Sequence, residues 1–237
     1  TRTYQTRQKS QSGDLPNWNL NDLYRRPKSP KLKADIAWAR SESKKFRKAF
    51  EGRLKGLDGN GLARAISRYE KITERLDRVV SYGHLLHATH ISDAEISAFF
   101  QTLQEKVTDI STEILFFTLE LNRLGETVLK KQLKSPKAAR YAPWIRDCRV
   151  FRSHQLSDEA EKLFHEKSLT SHNAWIRLFG ETMADLRFTV KGPKGSRKMT
   201  LADTLNLLSD KRGEVRKQGA KALSRGLGQN MRVLTLI

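Results

Sequence analysis

Residues 92–125, SDAEISAFFQTLQEKVTDISTEILFFTLELNRLG, carry the reading that decides the fold. Ile96, Phe99, Leu103, Val107, Ile110, Ile114, Phe117, Leu121 and Leu124 recur in steps of three and four, which places them on one face of a long helix. Ser92 and Glu95 stand at the spacing of a capping box, and Gly125 suits the helix end.

The same grammar extends upstream. Asn60 is positioned to cap a helix with the stripe Leu62, Ile66, Tyr69, Ile72, Leu76, Val79, Gly83 and Leu86, and a short gap at His90 and Ile91 separates it from the next. Two long helices joined by so tight a turn lie antiparallel, so residues 60–124 are expected to form a helical hairpin. An earlier helix begins near Ser29, with Leu32, Ile36, Ala39, Phe46 and Phe50 on its apolar side, and Gly52, Gly56, Gly59 and Gly61 break it.

Downstream, Ser135-Pro136 and Pro143 fit helix starts. Ser157, followed by Asp158, Glu159 and Glu161, fits another, because acidic side chains favour the positive end of the helix dipole. Trp175, Leu178, Phe179 and Met183 form the apolar side of the helix after that. The period changes at Leu186-Arg187-Phe188-Thr189-Val190, which alternates apolar and polar before Lys191-Gly192-Pro193-Lys194-Gly195 and Lys198-Met199-Thr200-Leu201. This predicts a small β-hairpin near 186–201. Helices resume at Ala202, with Ser209 or Asp210 as the cap of the last one. The fold class is therefore mainly α, many helices with one long antiparallel hairpin and one small β-hairpin.

A chain of 237 residues can bury a helical core without disulfides, and its single Cys148 has no partner within the chain. A reducing, cytoplasmic setting is favoured. No stretch approaches the roughly 20 apolar residues of a spanning helix, and Arg2, Arg7 and Lys9 precede no apolar segment of a signal peptide, so a soluble, unexported protein is expected. Residues 1–14 read as a disordered lead-in, and Leu15 to Tyr24 as an extended strap across the helical body. The apolar finish at Val233, Leu234, Leu236 and Ile237 reads as a truncation.

The net charge is +19, yet residues 61–120 hold six basic and nine acidic side chains, so the excess sits toward the two ends. Such an excess draws a protein to nucleic acid by counterion release. No base-reading motif accompanies it, and the plainer account is a solvated basic surface. A basic nucleic-acid-binding module and a protein-docking helical scaffold remain the alternative readings.

Chemistry is sparse. His84, His87 and His90 step by three, which turns His90 well round the helix from His84, whereas helical zinc pairs step by four. His165-Glu166-Lys167-Ser168-Leu169 is one residue short of His-Glu-x-x-His, since Leu169 cannot bind a metal and His172 lies beyond a Ser-Leu-Thr-Ser break. Cys148 is flanked by Arg146 and Arg149, which would lower a thiol pKa, but a structural helix cysteine is the commoner case. No residue here is assigned a catalytic, cofactor-binding or metal-ligating role.

The segment Leu15 to Tyr24, followed in order by Arg78 to Gly83, Phe116 to Leu121, Arg152 to Glu161, Trp175 to Phe179 and Leu208 to Arg216, nevertheless resembles one family, the oligoendopeptidase F branch of the thimet-oligopeptidase-like zinc peptidases. Leu15-Pro16-Asn17-Trp18-Asn19-Leu20-Asn21-Asp22-Leu23-Tyr24 is similar to that branch's Pro-x-Trp-x-Leu-x-Asp-Leu-Tyr opening. The resemblance implies a cytoplasmic zinc endopeptidase that cuts short peptides in a channel between two mostly helical lobes. This chain would supply the N-terminal lobe, part of one channel wall, with 15–185 as the N-terminal domain and 186–237 as the hairpin and first helices of the catalytic half. The family's zinc motif would lie C-terminal to Ile237, so zinc is expected in the full-length parent and not on this chain. Short peptides are the implied partners, with no specific nucleic acid and no membrane. The apolar side of Val215, Leu223, Leu227, Val233, Leu234, Leu236 and Ile237 would face the catalytic lobe.

Overall fold

The computed structural model describes residues 19–192 and 195–237. The lead-in at 1–14 and the strap residues Leu15 to Trp18 lie outside the described residues. Asn19 caps a single 3-10 turn at Leu20–Asp22 by accepting the Asn21 N–H, so this part is a tight turn and not an extended strap. The turn delivers Tyr24, 1% exposed, edge-on to Tyr82 at 5.4 Å between ring centres. Its hydroxyl donates to Asp35 at 2.8 Å, satisfying the one polar atom the ring carries inside.

Helix α1 (Pro30–Phe50) opens with proline at its first position, where no N–H is needed, and closes with Arg47 and Lys48 against the negative dipole end. Gly52 then turns the chain with φ of 74°, a conformation that a Cβ disfavours. Helices α2 (Gly59–Thr89) and α3 (Ala94–Thr112) pack on each other and on α1. Their apolar stripes meet in a core containing Ala39, Phe46, Leu62, Ile66, Ile72, Leu76 and Ile110. The helical hairpin thus stands as the spacing predicted.

Both of its caps differ from expectation. Asp58 caps α2 through the Gly61 N–H at 2.6 Å, while Asn60 accepts from Ser135. Asp93 caps α3 by accepting from Glu95 and Ile96, and Ser92 instead donates to Asp185 at 2.7 Å. In each case a carboxylate adjacent to the first turn prevails over the neutral side chain.

The long helix is also broken. The N–H groups of Glu113 and Ile114 bond three residues back, to Ile110 and Ser111, and a separate α4 (Leu115–Arg123) follows. Ile110, Ile114, Phe117 and Leu121 stay buried across the break, so the stripe survives it and conceals it. Gly125 is not a left-handed stop; at φ −66° and ψ 148° it leads into α5 (Glu126–Gln132).

The end of α4 is closed by a side chain from α7. After α6 (Pro136–Ala139), α7 (Ala142–Arg149) places the Arg149 guanidinium on the carbonyls of Leu121, Asn122 and Leu124 at 2.8, 3.2 and 3.0 Å, with Glu126 at 2.5 Å. It thereby satisfies carbonyls that a helix end leaves free. Helices α8 (Asp158–Lys167), capped by Ser157 as expected, and α9 (His172–Asp185) follow.

Strands β1 (Phe188–Gly192) and β2 (Gly195–Met199) form the antiparallel hairpin, and Gly195 takes φ of 111° at its turn. Helices α10 (Leu201–Asn206), α11 (Gly213–Gln229) and α12 (Met231–Leu234) complete the described chain. Phe188, wholly buried, anchors a separate cluster with Leu186 and Ala222, against which Leu223 and Leu227 pack. Those two leucines are therefore occupied within the chain, unlike Leu236, 66% exposed. Gly226 makes this packing feasible, because a Cβ there would stand 2.5 Å from the Phe188 ring. Arg212, not Ser209 or Asp210, occupies the cap position of α11, and Asp210 accepts from its backbone and guanidinium, which holds the carboxyl down at about 2.

Candidate functional site

Helix α9 is built inside out. Amphipathic surface helices turn large apolar side chains inward, yet Trp175 is 47% exposed, Ile176 57% and Phe179 48%, and no residue of the helix is fully buried. The half-buried positions are Asn173, Ala174, Arg177 and Gly180 to Ala184, mostly small or polar, with Met183 the one large apolar side chain among them, packed against Leu186 and Phe188. This corrects the expectation that Trp175, Leu178 and Phe179 belong to the packed side. Small residues allow close approach: a Cβ on Gly180 would already touch Ile91 at 3.4 Å.

Polar contacts hold α9 to the turn between α2 and α3. Ser92 donates to Asp185, Arg177 donates to Gln101 at 2.8 Å, and Glu181 lies 4.0 Å from Nε2 of His87. His87 is buried, its ring stacked on Phe100 at 5.1 Å, and its Nε2 has no hydrogen-bond partner. Burial pushes the imidazole below its ordinary pKa, and the neighbouring Glu181 opposes this.

The outward apolar character continues onto the preceding elements. Val150 and Phe151, in the 3-10 turn Val150–His154, are 66% and 69% exposed, and Leu163 and Phe164 of α8 are 54% and 65% exposed. Large apolar side chains left in water on three consecutive elements mark an interaction face. Sequence reasoning missed it because periodicity shows that a helix has two faces without saying which is inside. The alternation of Ala174, Gly180 and Ala184 along the opposite stripe was the available signal.

The residues considered for metal or nucleophilic chemistry fall apart in space. His90 turns Nδ1 to Thr89 and the Leu86 carbonyl, His84 lies 6.0 Å from the Phe100 ring centre, and His87 is enclosed as described. His165 pairs with the Ser111 hydroxyl at 2.8 Å, Glu166 with Lys162 at 3.8 Å, and His172 is exposed. Among the described residues no three His, Cys, Asp or Glu side chains converge as a metal site. The arginines beside Cys148 do not activate it: Arg146 pairs with Asp147, Arg149 caps α4, and burial followed by the Asp147 charge pushes the thiol up.

Comparisons with known proteins agree with the resemblance read from the sequence. Residues 120–188, which contain Arg149, α8 and α9, match the family model for oligopeptidase F. Oligopeptidase PepF of Bacillus subtilis (strain 168) is 25% identical over 232 aligned residues, covering 90% of this chain and 32% of that protein. The crystal structure of oligoendopeptidase-F from Enterococcus faecium superposes with a TM-score of 0.71 at 21% identity, over 84% of this chain and 40% of that one. The chain thus has the fold of part of that peptidase and spans about a third of the length of the curated relative. Among the described residues no helix is long and apolar enough to cross a membrane.

Proposed function

We propose that this chain acts as the N-terminal lobe of a zinc-dependent oligoendopeptidase that hydrolyses short peptides in the cytoplasm, forming part of the wall of the substrate channel. The observation that carries the reading is the breadth of the similarity: 90% of the chain aligns with an oligopeptidase. The described residues do not fit a catalytic zinc, because among them no three His, Cys, Asp or Glu side chains converge. The metal ligands and the peptide-cleaving groups therefore belong to the remainder of the polypeptide. Residues 15–185 are the lobe proper and 186–237 the start of the catalytic half, a division supported by the separate Phe188 cluster.

The outward face of α8 and α9 is where that remainder docks. The chain covers only 32% of its curated relative, which leaves ample polypeptide to cover Phe164, Trp175, Ile176 and Phe179. Covering each such side chain is worth about 1.5–3 kcal/mol. The triple substitution Trp175→Ser, Ile176→Ser, Phe179→Ser should then sharply lower the binding of a hydrophobic dye to this chain, while its unfolding free energy stays within about 1.5 kcal/mol, about 0.5 for each surface site. Unchanged dye fluorescence would refute the exposed face.

The activity is tested on the full-length product of the gene. It should cleave quenched fluorescent peptides too short to fold, lose that activity to a zinc chelator, and recover it when zinc is restored. Residues 1–237 alone should retain no stoichiometric zinc after dialysis and cleave nothing. Zinc retained by this chain and lost on His84→Ala and His87→Ala substitution would move the metal into the lobe and overturn the proposal.

A further inference from the structure

A groove of roughly 370 Å³ runs between the first turns of α2 and helix α6, on a different part of the molecule from α9. Asn60, Ala63, Arg64 and Ser67 form its α2 wall, at the i, i+3, i+4 and i+7 positions that share a helix face, and Lys137, Arg140 and Tyr141 form the opposite wall. Three of the lining side chains are cations and none is a carboxylate. This local imbalance is written into the chain, since residues 127–146 contain Lys130, Lys131, Lys134, Lys137, Arg140 and Arg146 and no Asp or Glu.

The three cations, Asn60 and Ser67 are available as donors. Arg64 and Lys137 are exposed and, among the described residues, take part in none of the ion pairs. Arg140 is positioned in advance: its guanidinium lies 4.6 Å from the Tyr141 ring centre and donates to the Tyr141 hydroxyl at 2.8 Å. That hydroxyl in turn donates a hydrogen bond to Glu70 at 3.0 Å, and the Arg140 N–H groups not on Tyr141 remain available. The Asn60 carbonyl oxygen accepts from Ser135 at 3.0 Å, so its amide N–H₂ remains free, and Ser67 supplies a hydroxyl.

We propose that this groove is a binding site for a compact phosphate ligand, either free phosphate or a phosphomonoester. The complement of three cations and two neutral donors is an ion with two negative charges and oxygen acceptors on every side. A carboxylate offers one charge and two oxygens, too few for the set. Guanidinium forks match phosphate oxygens two at a time, and Lys137 adds a point charge. The inference is independent of the peptidase reading, because it uses no residue of the α8–α9 face.

Calorimetric titration of the 237-residue chain with inorganic phosphate, pyrophosphate and O-phosphoserine, with chloride holding ionic strength constant, tests the site. Saturable one-to-one binding is expected. Arg64→Gln and Lys137→Gln should each weaken it about tenfold, and both variants should unfold at the wild-type temperature, since the replaced side chains are exposed. Lys217→Gln with Lys221→Gln, on the exposed side of α11, should leave binding unchanged. Tighter binding of phosphoserine than of phosphate assigns the site to a phosphomonoester, and the reverse order assigns it to the free ion. Heats that never saturate, or that fall equally in the α11 variant, would reduce the groove to general screening of a chain with charge +19 and overturn the proposal.

Discussion

Phe46→Ala should remove about 3–5 kcal/mol of stability, the cost of deleting a buried aromatic and leaving a cavity. Phe46 is completely buried and sits at the junction of α1 with α2 and α4. Its ring centre lies 5.0 Å from Phe50, 5.1 Å from Phe117, 5.7 Å from Phe116 and 6.2 Å from Tyr69. Arg68 covers one side at 5.9 Å while its guanidinium is held by Glu42. Neighbours this large and mutually braced cannot collapse into the space, so the cost should fall toward the upper end. Urea unfolding of the variant should show a lower midpoint at an unchanged slope. A loss below about 1 kcal/mol, ordinary for a point substitution, would mean that this aromatic group does not organise the core.

The second large effect is set by backbone. Gly59→Ala would place a methyl far inside contact distance of the Gln132 carbonyl oxygen and 2.5 Å from the Ser135 Cβ. The carbonyl cannot step aside, because the Gln132 side chain is itself fixed by donating to the carbonyls of Leu54 and Leu57, both at 2.9 Å. Overpacking of this kind costs about 1–3 kcal/mol or more, and at Gly59, the first residue of α2, it exceeds even the roughly 0.8–1.0 kcal/mol that alanine would bring to a helix interior. Gly228→Ala, in α11 with nothing near its Cβ, should have the opposite sign and stabilise slightly. Equal effects of the two substitutions in thermal unfolding would show that the start of α2 is not pressed against the end of α5.

The contrast between what could and could not be read in the chain is physical. Leu62, Ile66, Ile72, Leu76 and Val79 are all buried as their spacing predicted, because the stripe of α2 is met by apolar stripes of α1 and α3. The break at Glu113 and Ile114 escaped, since two i−3 bonds leave the stripe in phase. The caps differ from expectation because Asp58 and Asp93 stand near Asn60 and Ser92, all competent by type, and in each case the carboxylate takes the first-turn N–H groups. The scattering of the histidines was legible from their three-residue steps. The groove with Arg64, Lys137 and Arg140 was not, because it joins positions some seventy residues apart and exists only once α6 lies on α2.

The reversed polarity of α9 separates two kinds of evolutionary pressure. In an ordinary helix the residues that could contact something outside are the charged and polar ones, and the large apolar ones are tied to the core. Here the large residues Trp175, Ile176, Leu178 and Phe179 keep much of their surface in water, while Ala174, Gly180 and Ala184 lie on the half-buried side that seats the helix. Drift at the first set changes what the surface recognises, and drift at the second changes whether the surface is presented at all. New binding preferences can therefore accumulate one substitution at a time at positions that contribute less to the core than the buried stripes of α2 do.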